Sequence, residues 1–556
     1  MQKYGELLRT LLEKRGIIDE AQADIFLNPD YKRDLHDPFL MKDMERACVR
    51  LFEAIENKEK IIIYADYDCD GIPGAVIMQD LLKLIDYKNY EVYIPQRNSE
   101  GYGLNMEAIK IFAESGVKLL ITIDLGITAV AEVTQAEVDG IDVIITDHHL
   151  ASQATLPRAY AILNPKTDKY PEKMLCGAGI VFKLMQGFLK KYGEYFKIKD
   201  GAEKWMLDMA GLATLSDMVP LMGENRAITF FGMKVLRKSP RPGLQKLLAK
   251  MNIEQKFLSE DDIGYMVTPR LNAASRMDDP MRAFEILATE DEAEADMLAK
   301  HLSKINDERK TIVTGIMREV NKKFEKSSAH EHKNVIVIGN PNWRVGILGL
   351  VAGKISDEHQ KPVFVWGKDE NNCIKGSCRS DGSVSIVELM TETREFFIEF
   401  GGHELAGGFT VHHDKIHFLE EALSLSFDKV KKNIRELADG EKKYDVKLTL
   451  DNVNMKNWRE IEKLAPFGLA NPKPIFLFPN VKIEKIKKFG KNGSGEHLEI
   501  IFSDPTSKIK AISFFSSVDS FENTLMEGIS VNLIANFDLS RFRGKEELRL
   551  RIIDIL

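Results

Sequence analysis

Three carboxylates, Asp66, Asp68 and Asp70, alternate along Tyr64-Ala65-Asp66-Tyr67-Asp68-Cys69-Asp70-Gly71. In extended chain alternate side chains share a side, so all three begin on one face. Like charges that close repel unless a cation neutralises them, and hard oxygen donors favour Mg²⁺ or Mn²⁺. Further acidic and imidazole groups recur: Asp124 ends Leu119-Leu120-Ile121-Thr122-Ile123, and Asp147-His148-His149 follows Val143-Ile144-Ile145-Thr146. Ser216-Asp217 closes a helical stretch running from Glu203 to Leu215. A solvated acidic turn would explain the first motif alone. It does not explain Asp or His at the ends of three separate apolar runs. Two divalent ions held by such a set can share a hydroxide nucleophile and offset charge on attacking and leaving oxygens.

The elements that must position these residues alternate. Strands are expected at Lys60–Asp66, Glu91–Pro95, Lys118–Asp124 and Ile141–Thr146, with helices at Ala75–Ile85, Asn105–Ser115 and Ala129–Val138. That order predicts a doubly wound parallel sheet with right-handed crossovers, in which ligands bind outside the carboxyl ends of the strands. The Asp and His residues lie at those ends.

At 556 residues the chain exceeds one core, so several domains are expected. Two short helices and a connector around Pro29 and Pro38 fill the first 50 residues. From about 230 to 330 the pattern is helical, ending in the charged run Asp291–Lys326, a solvated or bridging helix. Within it Pro269-Arg270-Leu271-Asn272-Ala273-Ala274-Ser275-Arg276 reads as a polar turn. A second, smaller α/β domain starts at Asn334-Val335-Ile336-Val337-Ile338 and includes Gly376-Ser377-Cys378-Arg379-Ser380 and Gly401-Gly402-His403-Glu404-Leu405-Ala406-Gly407-Gly408. Paired glycines beside a histidine let backbone amides approach a phosphate while the imidazole donates a hydrogen bond. Short strands from Val446 to Ile553, with Ile475–Phe478 and Val481–Lys487 as separate elements, fit an OB-type β-barrel. The expected division is 1–50, 51–230, 231–331, 332–438 and 439–556.

A net charge of −8 excludes a uniformly basic nucleic-acid binder. The distribution is uneven, with about 17 Lys and Arg against about 15 Asp and Glu from Tyr444 onward. There cations interleave with aromatics at Lys487-Lys488-Phe489 and Arg541-Phe542-Arg543, a mixture suited to single-stranded nucleic acid. No apolar run approaches the ~18–20 residues of a membrane span. The N-terminus has no signal-peptide core. Five scattered cysteines without C-x₂-C spacing read as reduced thiols in a cytoplasmic protein.

Asp-Tyr-Asp-Cys-Asp-Gly, Thr-Ile-Asp-Leu-Gly-Ile, Thr-Asp-His-His and Leu-Ser-Asp-Met-Val-Pro-Leu resemble, in order, the four motifs of the DHH phosphoesterase superfamily. Gly-Ser-Cys-Arg-Ser and Gly-Gly-His-Glu-Leu-Ala-Gly-Gly resemble its associated second domain. With Pro269–Arg276, Ala465–Pro472 and the terminal barrel, the resemblance extends over residues 50–556 to its bacterial 5′→3′ exonucleases specific for single-stranded DNA. It implies two Mn²⁺ or Mg²⁺ ions, with Asp66 and Asp68 on one, Asp70, His148 and Asp217 on the other, and Asp124 bridging. His149 would lie beside the metals, Asp147 would orient an imidazole, and His403 would reach the scissile phosphate. Arg97, Ser377 and Arg379 would hold a 5′-phosphate, with Arg270, Asn272, Arg276, Gly401 and Gly402 as further substrate contacts. A role in DNA repair and recombination follows, with a single-strand-binding protein and a repair helicase as candidate partners of a monomer away from membranes. The sequence departs from the pattern at Ile72-Pro73-Gly74, Leu125 and Cys378, none of them a proposed ligand. A phosphodiesterase for very short or cyclic oligonucleotides and a non-catalytic scaffold stay open as alternatives.

Overall fold

The computed structural model describes residues 1–556 apart from 98, 152–154, 327–332, 432–443, 491–496, 522–524 and 542–544. The chain forms two compact units, one of residues 37–217 and 231–437, the other of 1–36, 218–230 and 438–556. The N-terminal helices Glu6–Lys14 and Glu20–Leu27 therefore belong with the C-terminal barrel and form no separate module with the rest of the first 50 residues.

In the larger unit β1 (Lys60–Ala65), β2 (Tyr90–Tyr93), β3 (Val117–Ile123), β4 (Asp142–Thr146) and β5 (Ala161–Leu163) form one parallel sheet. Their spatial order is β2-β1-β3-β4-β5. Central strands of a two-faced sheet are apolar throughout, and β1 and β3 are accordingly buried along almost their whole length. One face packs on helices Met106–Glu114 and Val130–Val138 through Ile62, Tyr64, Leu120, Val143, Ile145 and Phe112. The other carries helices Gly71–Leu84 and Gly177–Tyr192. Gly74 lets these two helices meet close to β3: a Cβ there would stand 2.6 Å from the Ile123 side chain and 3.3 Å from Ala178 Cα.

A second sheet in the same unit comprises β6 (Ile336–Gly339), β7 (Val363–Lys368), β8 (Ile374–Arg379), β9 (Phe397–Gly402) and β10 (Ala406–Val411). Its order is β6-β7-β8-β10-β9, with only β6 and β7 parallel. The glycine-rich stretch around His403 forms a hairpin. Gly401 and Gly402 end β9 and pair with Gly408 and Gly407 of β10. Gly402 has φ +145°, and a Cβ there would lie 2.3 Å from Ala406 O, so the glycines serve close strand approach.

Residues 269–276 are likewise no turn; they lie in the helix Thr268–Met277. Proline is tolerated in a first turn, where its missing N–H has no partner to lose. The long helix Glu292–Lys326 packs alongside.

In the smaller unit β11 (Val446–Lys447), β12 (Phe476–Phe489), β13 (His497–Ser503), β14 (Lys508–Phe514), β15 (Ser530–Ser540) and β16 (Glu547–Ile555) follow the order β11-β12-β13-β14-β16-β15. Pairing of β12 with β15 closes the barrel. The two strands expected at Ile475–Phe478 and Val481–Lys487 are one bulged strand, β12. Its register shifts between Phe478 and Val481, across Pro479 and Asn480, the latter at φ +53°. Such bulges bend a strand enough to pair on both sides of a barrel. Leu8, Leu11, Leu12 and Phe26 share its core with Phe476, Phe478, Phe502 and Leu533. Among the described residues no helix is long and apolar enough to cross a membrane.

At the end of the parallel sheet away from the motif residues, Arg50 is 6% exposed. It donates to Asp142 at 2.5 Å, Glu59 at 2.6 Å and Lys118 O at 3.2 Å. Arg50→Ala leaves two carboxylates without their cation and is expected to cost about 3 kcal/mol of unfolding free energy. Urea denaturation of the full chain measures it; a loss below ~0.5 kcal/mol would assign the cluster to the solvated surface.

Candidate active site

Three aspartates come to one sheet edge by the same backbone step. Asp66 N–H donates to Ile123 O, Asp124 N–H to Thr146 O and Asp147 N–H to Leu163 O, each carrying the parallel ladder one residue past its strand. Asp124 takes φ +62°, a left-handed conformation that Asp tolerates better than most side chains. Gly177 packs against it, where a Cβ would stand 2.6 Å from Asp124 Cβ.

The first motif then turns into the helix from Gly71. Asp68 Oδ1 accepts from Asp70 N–H at 2.8 Å and Gly71 N–H at 3.3 Å. Asp70 faces the start of helix Gly177–Tyr192, accepting from Gly177 N–H at 2.6 Å and Ala178 N–H at 2.8 Å. Free amides at a helix N-terminus suit an anion. Asp217 caps the end of helix Leu207–Ser216.

His148 links the carboxylates. Its Nε2 lies 3.2 Å from Asp124 Oδ1 and 3.8 Å from Asp70 Oδ2, and its Nδ1 lies 3.8 Å from Asp217 Oδ2. Candidate ligand atoms of Asp66, Asp68 and Asp124 lie within 4.8 Å of one another. Those of Asp70, His148 and Asp217 do so too, as do those of Asp124, His148 and His149. Asp124 and His148 thus each belong to two of three overlapping groups.

The electrostatics fit divalent cations. Asp66 Oδ1 and Asp124 Oδ1 are buried without a hydrogen-bond partner among the described residues. Among the described residues no Lys or Arg forms an ion pair with Asp66, Asp68, Asp70, Asp124 or Asp217. Burial and then Asp68 push the Asp66 carboxyl well above its ordinary range; burial and then Asp70 do the same to Asp124. Asp217 is pushed up to about 9 by burial, Asp70 and Asp68, and Asp70 to about 6 by burial and Asp68. His148 is lowered to about 3 by burial and then by His149, so it is neutral and free to ligate.

His149 differs. Burial opposes its charge, yet Asp147 wins and raises it: Nδ1 lies 2.8 Å from Asp147 Oδ1, which also accepts the His149 N–H at 3.0 Å. Asp147 is fixed in turn by the Ile127 N–H at 2.9 Å. The His403 ring lies parallel to His149, with centroids 5.5 Å apart and planes 1° from parallel. His403 is lowered by burial, then by His149 and Lys166. The structure therefore brings all the expected metal-site residues and both extra histidines together.

A second, cationic cluster includes Arg97, Arg276 and Arg379. The Arg97 guanidinium stacks over Tyr67 at 4.9 Å, inside the first motif. Gln96 Nε2 donates to Asp279 Oδ1 at 2.9 Å, fixing the Arg97 loop beside the end of helix Thr268–Met277. Arg276 donates to Gly346 O at 3.4 Å and is lowered to about 9 by burial and then by Arg97, Arg309 and Arg379. Arg379 donates to Cys378 O at 2.7 Å and lies with Ser377 against Gly349. Arg270 donates to Met266 O at 2.7 Å, and Asn272 Oδ1 is buried and unpaired.

On the barrel Lys487, Lys488 and Phe489 lie at the end of β12, with the Phe489 ring 5.2 Å from His497. Arg541 pairs with Glu546 at 3.0 Å. Arg543 lies outside the described residues. Sequence reasoning missed Lys166 and Tyr102. Lys166 acts on Asp217, His148 and His403, and the Tyr102 hydroxyl is 3.4 Å from His149 Nδ1. Both sit in irregular segments, where no periodicity marks them.

Comparison with known proteins agrees with this geometry. The family described as DHH family, N-terminal domain, matches residues 60–214, the DHHA1 domain 332–434 and the RecJ OB domain 444–554. The fold is that of the DHH phosphoesterase superfamily. The chain is 32% identical over 560 residues to the single-stranded-DNA-specific exonuclease RecJ of Bacillus subtilis, covering 99% of this chain and 67% of that protein. The same-named Escherichia coli protein is 29% identical over 538 residues, covering 93% and 90%. The chain belongs to the RecJ family. RecJ from Thermus thermophilus in complex with Mn²⁺ shares the fold at TM-score 0.81 and 24% identity, covering all of this chain and 76% of that one. An exonuclease RecJ bound to manganese gives 0.63 and 27%, covering 73% and 99%.

Ligating carboxyls must lose their protons, so cation binding here releases protons and tightens as pH rises toward about 9. The sign for the metal-free fold is opposite. Its raised carboxyls favour folding most at low pH, and that contribution declines from about pH 4 to about 9. Calorimetry of Mn²⁺ binding near pH 7, in buffers of different ionisation enthalpy, should find roughly one or more protons released. No release would contradict the assignment.

Proposed function

We propose that this chain is a metal-dependent exonuclease that hydrolyses single-stranded DNA from the 5′ end to mononucleotides. The supporting observation is the approach of three groups of carboxylates and imidazoles that overlap at Asp124 and at His148, faced by His403 from the second sheet. Asp66, Asp68 and Asp124 would hold one Mn²⁺ or Mg²⁺, and Asp70, His148, Asp217 and Asp124 the other. The pair supplies a Lewis acid and an activated water.

The chain's own groups do the rest. Asp147 is ionised, its carboxyl lowered by His149 against the pull of burial, so the proton between them sits on His149 Nδ1. That orients the imidazole and favours its protonated form, which would set positive charge beside the phosphate's developing negative charge. His403, lowered below its ordinary value, is a neutral hydrogen-bonding partner on the parallel face. Lys166 adds positive field without an ion pair to the ligands.

Release of one nucleotide at a time needs a stop for the terminal phosphate. Arg97, Arg276, Ser377 and Arg379 are the candidate stop, because guanidinium groups bind a phosphate monoester by paired N–H donors. Lys487, Lys488 and Phe489 would guide the incoming strand on the barrel by phosphate contact and base stacking. A cytoplasmic monomer acting in repair and recombination, with a single-strand-binding protein and a helicase, accords with this reading and with five free thiols.

Asp124→Ala removes the shared ligand and should lower hydrolysis of an end-labelled single strand at least ~10³-fold, with strand binding within a few fold. Mononucleotides released at the wild-type rate would refute the site. Lys487→Ala with Lys488→Ala should weaken long-strand binding and flatten its salt dependence by about one to two units of log–log slope; an unchanged slope would remove them from the strand path.

A further inference from the structure

Asp217 differs from the other candidate ligands in how it is held. Asp66 and Asp124 sit in the sheet ladder, and Asp68 and Asp70 accept backbone N–H groups. Asp217 stands at the last bond of helix Leu207–Ser216, its N–H donating to Ala213 O at 2.8 Å. Its carboxylate accepts no hydrogen bond from a described residue and lies 3.8 Å from His148 Nδ1. Helix ends fray, so that end needs another restraint if the carboxylate is to keep its place.

Ser216 supplies one. Its Oγ donates to Leu212 O at 2.7 Å, which uses its only proton, and lies 2.6 Å from Thr268 Oγ1. Thr268 is therefore the donor of that second bond and Ser216 the acceptor. A helical threonine commonly turns its hydroxyl to the carbonyl four residues back, as Thr214 and Thr311 do. Thr268, 8% exposed, makes no such bond to a described residue. The chain enters it through the wide turn Ile263–Val267, where Thr268 N–H donates to Ile263 O, five residues back. Turns of this π type are rare and concentrate at functional sites. This one packs against helix Leu207–Ser216. Cys69, buried between Asp68 and Asp70, neighbours both hydroxyls, and burial pushes its thiol up to about 12, so it keeps its proton. The first motif, the Asp217 helix and helix Thr268–Met277 thus meet at two hydroxyls.

We propose that Thr268 is a positioning residue for the metal site: through Ser216, its hydroxyl fixes the helix end that presents Asp217 to a divalent cation. This rests on the reading of Asp217 as a cation ligand. A neutral hydroxyl pair gives direction without adding charge to a cluster already rich in carboxylates. Without the Thr268 hydroxyl, Ser216 still donates to Leu212 O, so no buried donor is orphaned and the fold loses little. What goes is the aim of Asp217. Groups that orient metal ligands are typically worth about 10–100-fold in metal affinity or activity.

The test uses the full chain with Thr268→Val, which keeps the side-chain shape, and Thr268→Ser, which keeps the hydroxyl. Ser216→Ala and the Thr268→Val, Ser216→Ala double variant complete a cycle. Calorimetric titration with Mn²⁺ in the absence of DNA reads binding directly. Thr268→Val should weaken one of two Mn²⁺ sites about tenfold, and Thr268→Ser should stay within about threefold of wild type. The double variant should lose no more than the worse single variant, because both remove one bond. On a single strand the Mn²⁺ concentration for half-maximal rate should rise in parallel, with kcat at saturating Mn²⁺ within about twofold. Metal-free thermal midpoints should stay close to wild type. Unchanged Mn²⁺ affinity in Thr268→Val, an equal loss in Thr268→Ser, additive losses in the double variant, or a large fall in the metal-free midpoint would overturn the proposal. Asp217→Asn with wild-type Mn²⁺ affinity would instead overturn the reading of Asp217 on which it stands.

Discussion

Mutual repulsion among Asp66, Asp68, Asp70, Asp124 and Asp217 is the constraint around which the larger unit is built. Two unit charges about 4 Å apart repel by about 4 kcal/mol at the effective dielectric near a protein surface. Several such pairs rival the ~5–15 kcal/mol that usually separates folded from unfolded chains. Protons or cations must therefore be bound, and the raised carboxyls of Asp66, Asp124 and Asp217 express that demand. His148, buried and neutral, adds a ligand without adding charge.

The scaffold tolerates the cluster because each member is fixed by backbone. The ladder holds Asp66, Asp124 and Asp147 through their own N–H groups, and the amides of Gly177 and Ala178 hold Asp70. Gly177 has to be glycine for the helix to come that close to Asp124. The sheet order β2-β1-β3-β4-β5 puts the first motif and Asp124 on adjacent strands β1 and β3, where the chain reverses its winding direction. That is where open α/β sheets bind ligands. The second sheet contributes His403 from a tight hairpin and Arg379 from a strand, so both approach the site on stiff elements.

Much of this was legible in the chain because Asp66, Asp124 and Asp147-His148 each follow an uninterrupted apolar run, the mark of a buried parallel strand. Asp217 was found through its motif and a helical stretch. What was not legible had weaker local signals or depended on packing. Paired glycines around His403 suit a loop and a close-packed hairpin equally, and only strand pairing decides. Pro269 suggested a turn, but a first-turn proline is compatible with the helix that packing selects. Pro479 and Asn480 looked like a break in what is one bulged strand. The membership of the first 36 residues in the barrel unit depends on the contacts of Leu8, Leu11 and Phe26, which no periodicity reveals. Lys166 and Tyr102 reach the site from irregular chain.

Anomalous diffraction from crystals of the full chain grown with Mn²⁺ tests the central claim most directly. Two neighbouring peaks are predicted, one among Asp66, Asp68 and Asp124 and one among Asp70, His148 and Asp217, with Asp124 touching both. A single peak, or peaks away from Asp124, would contradict it.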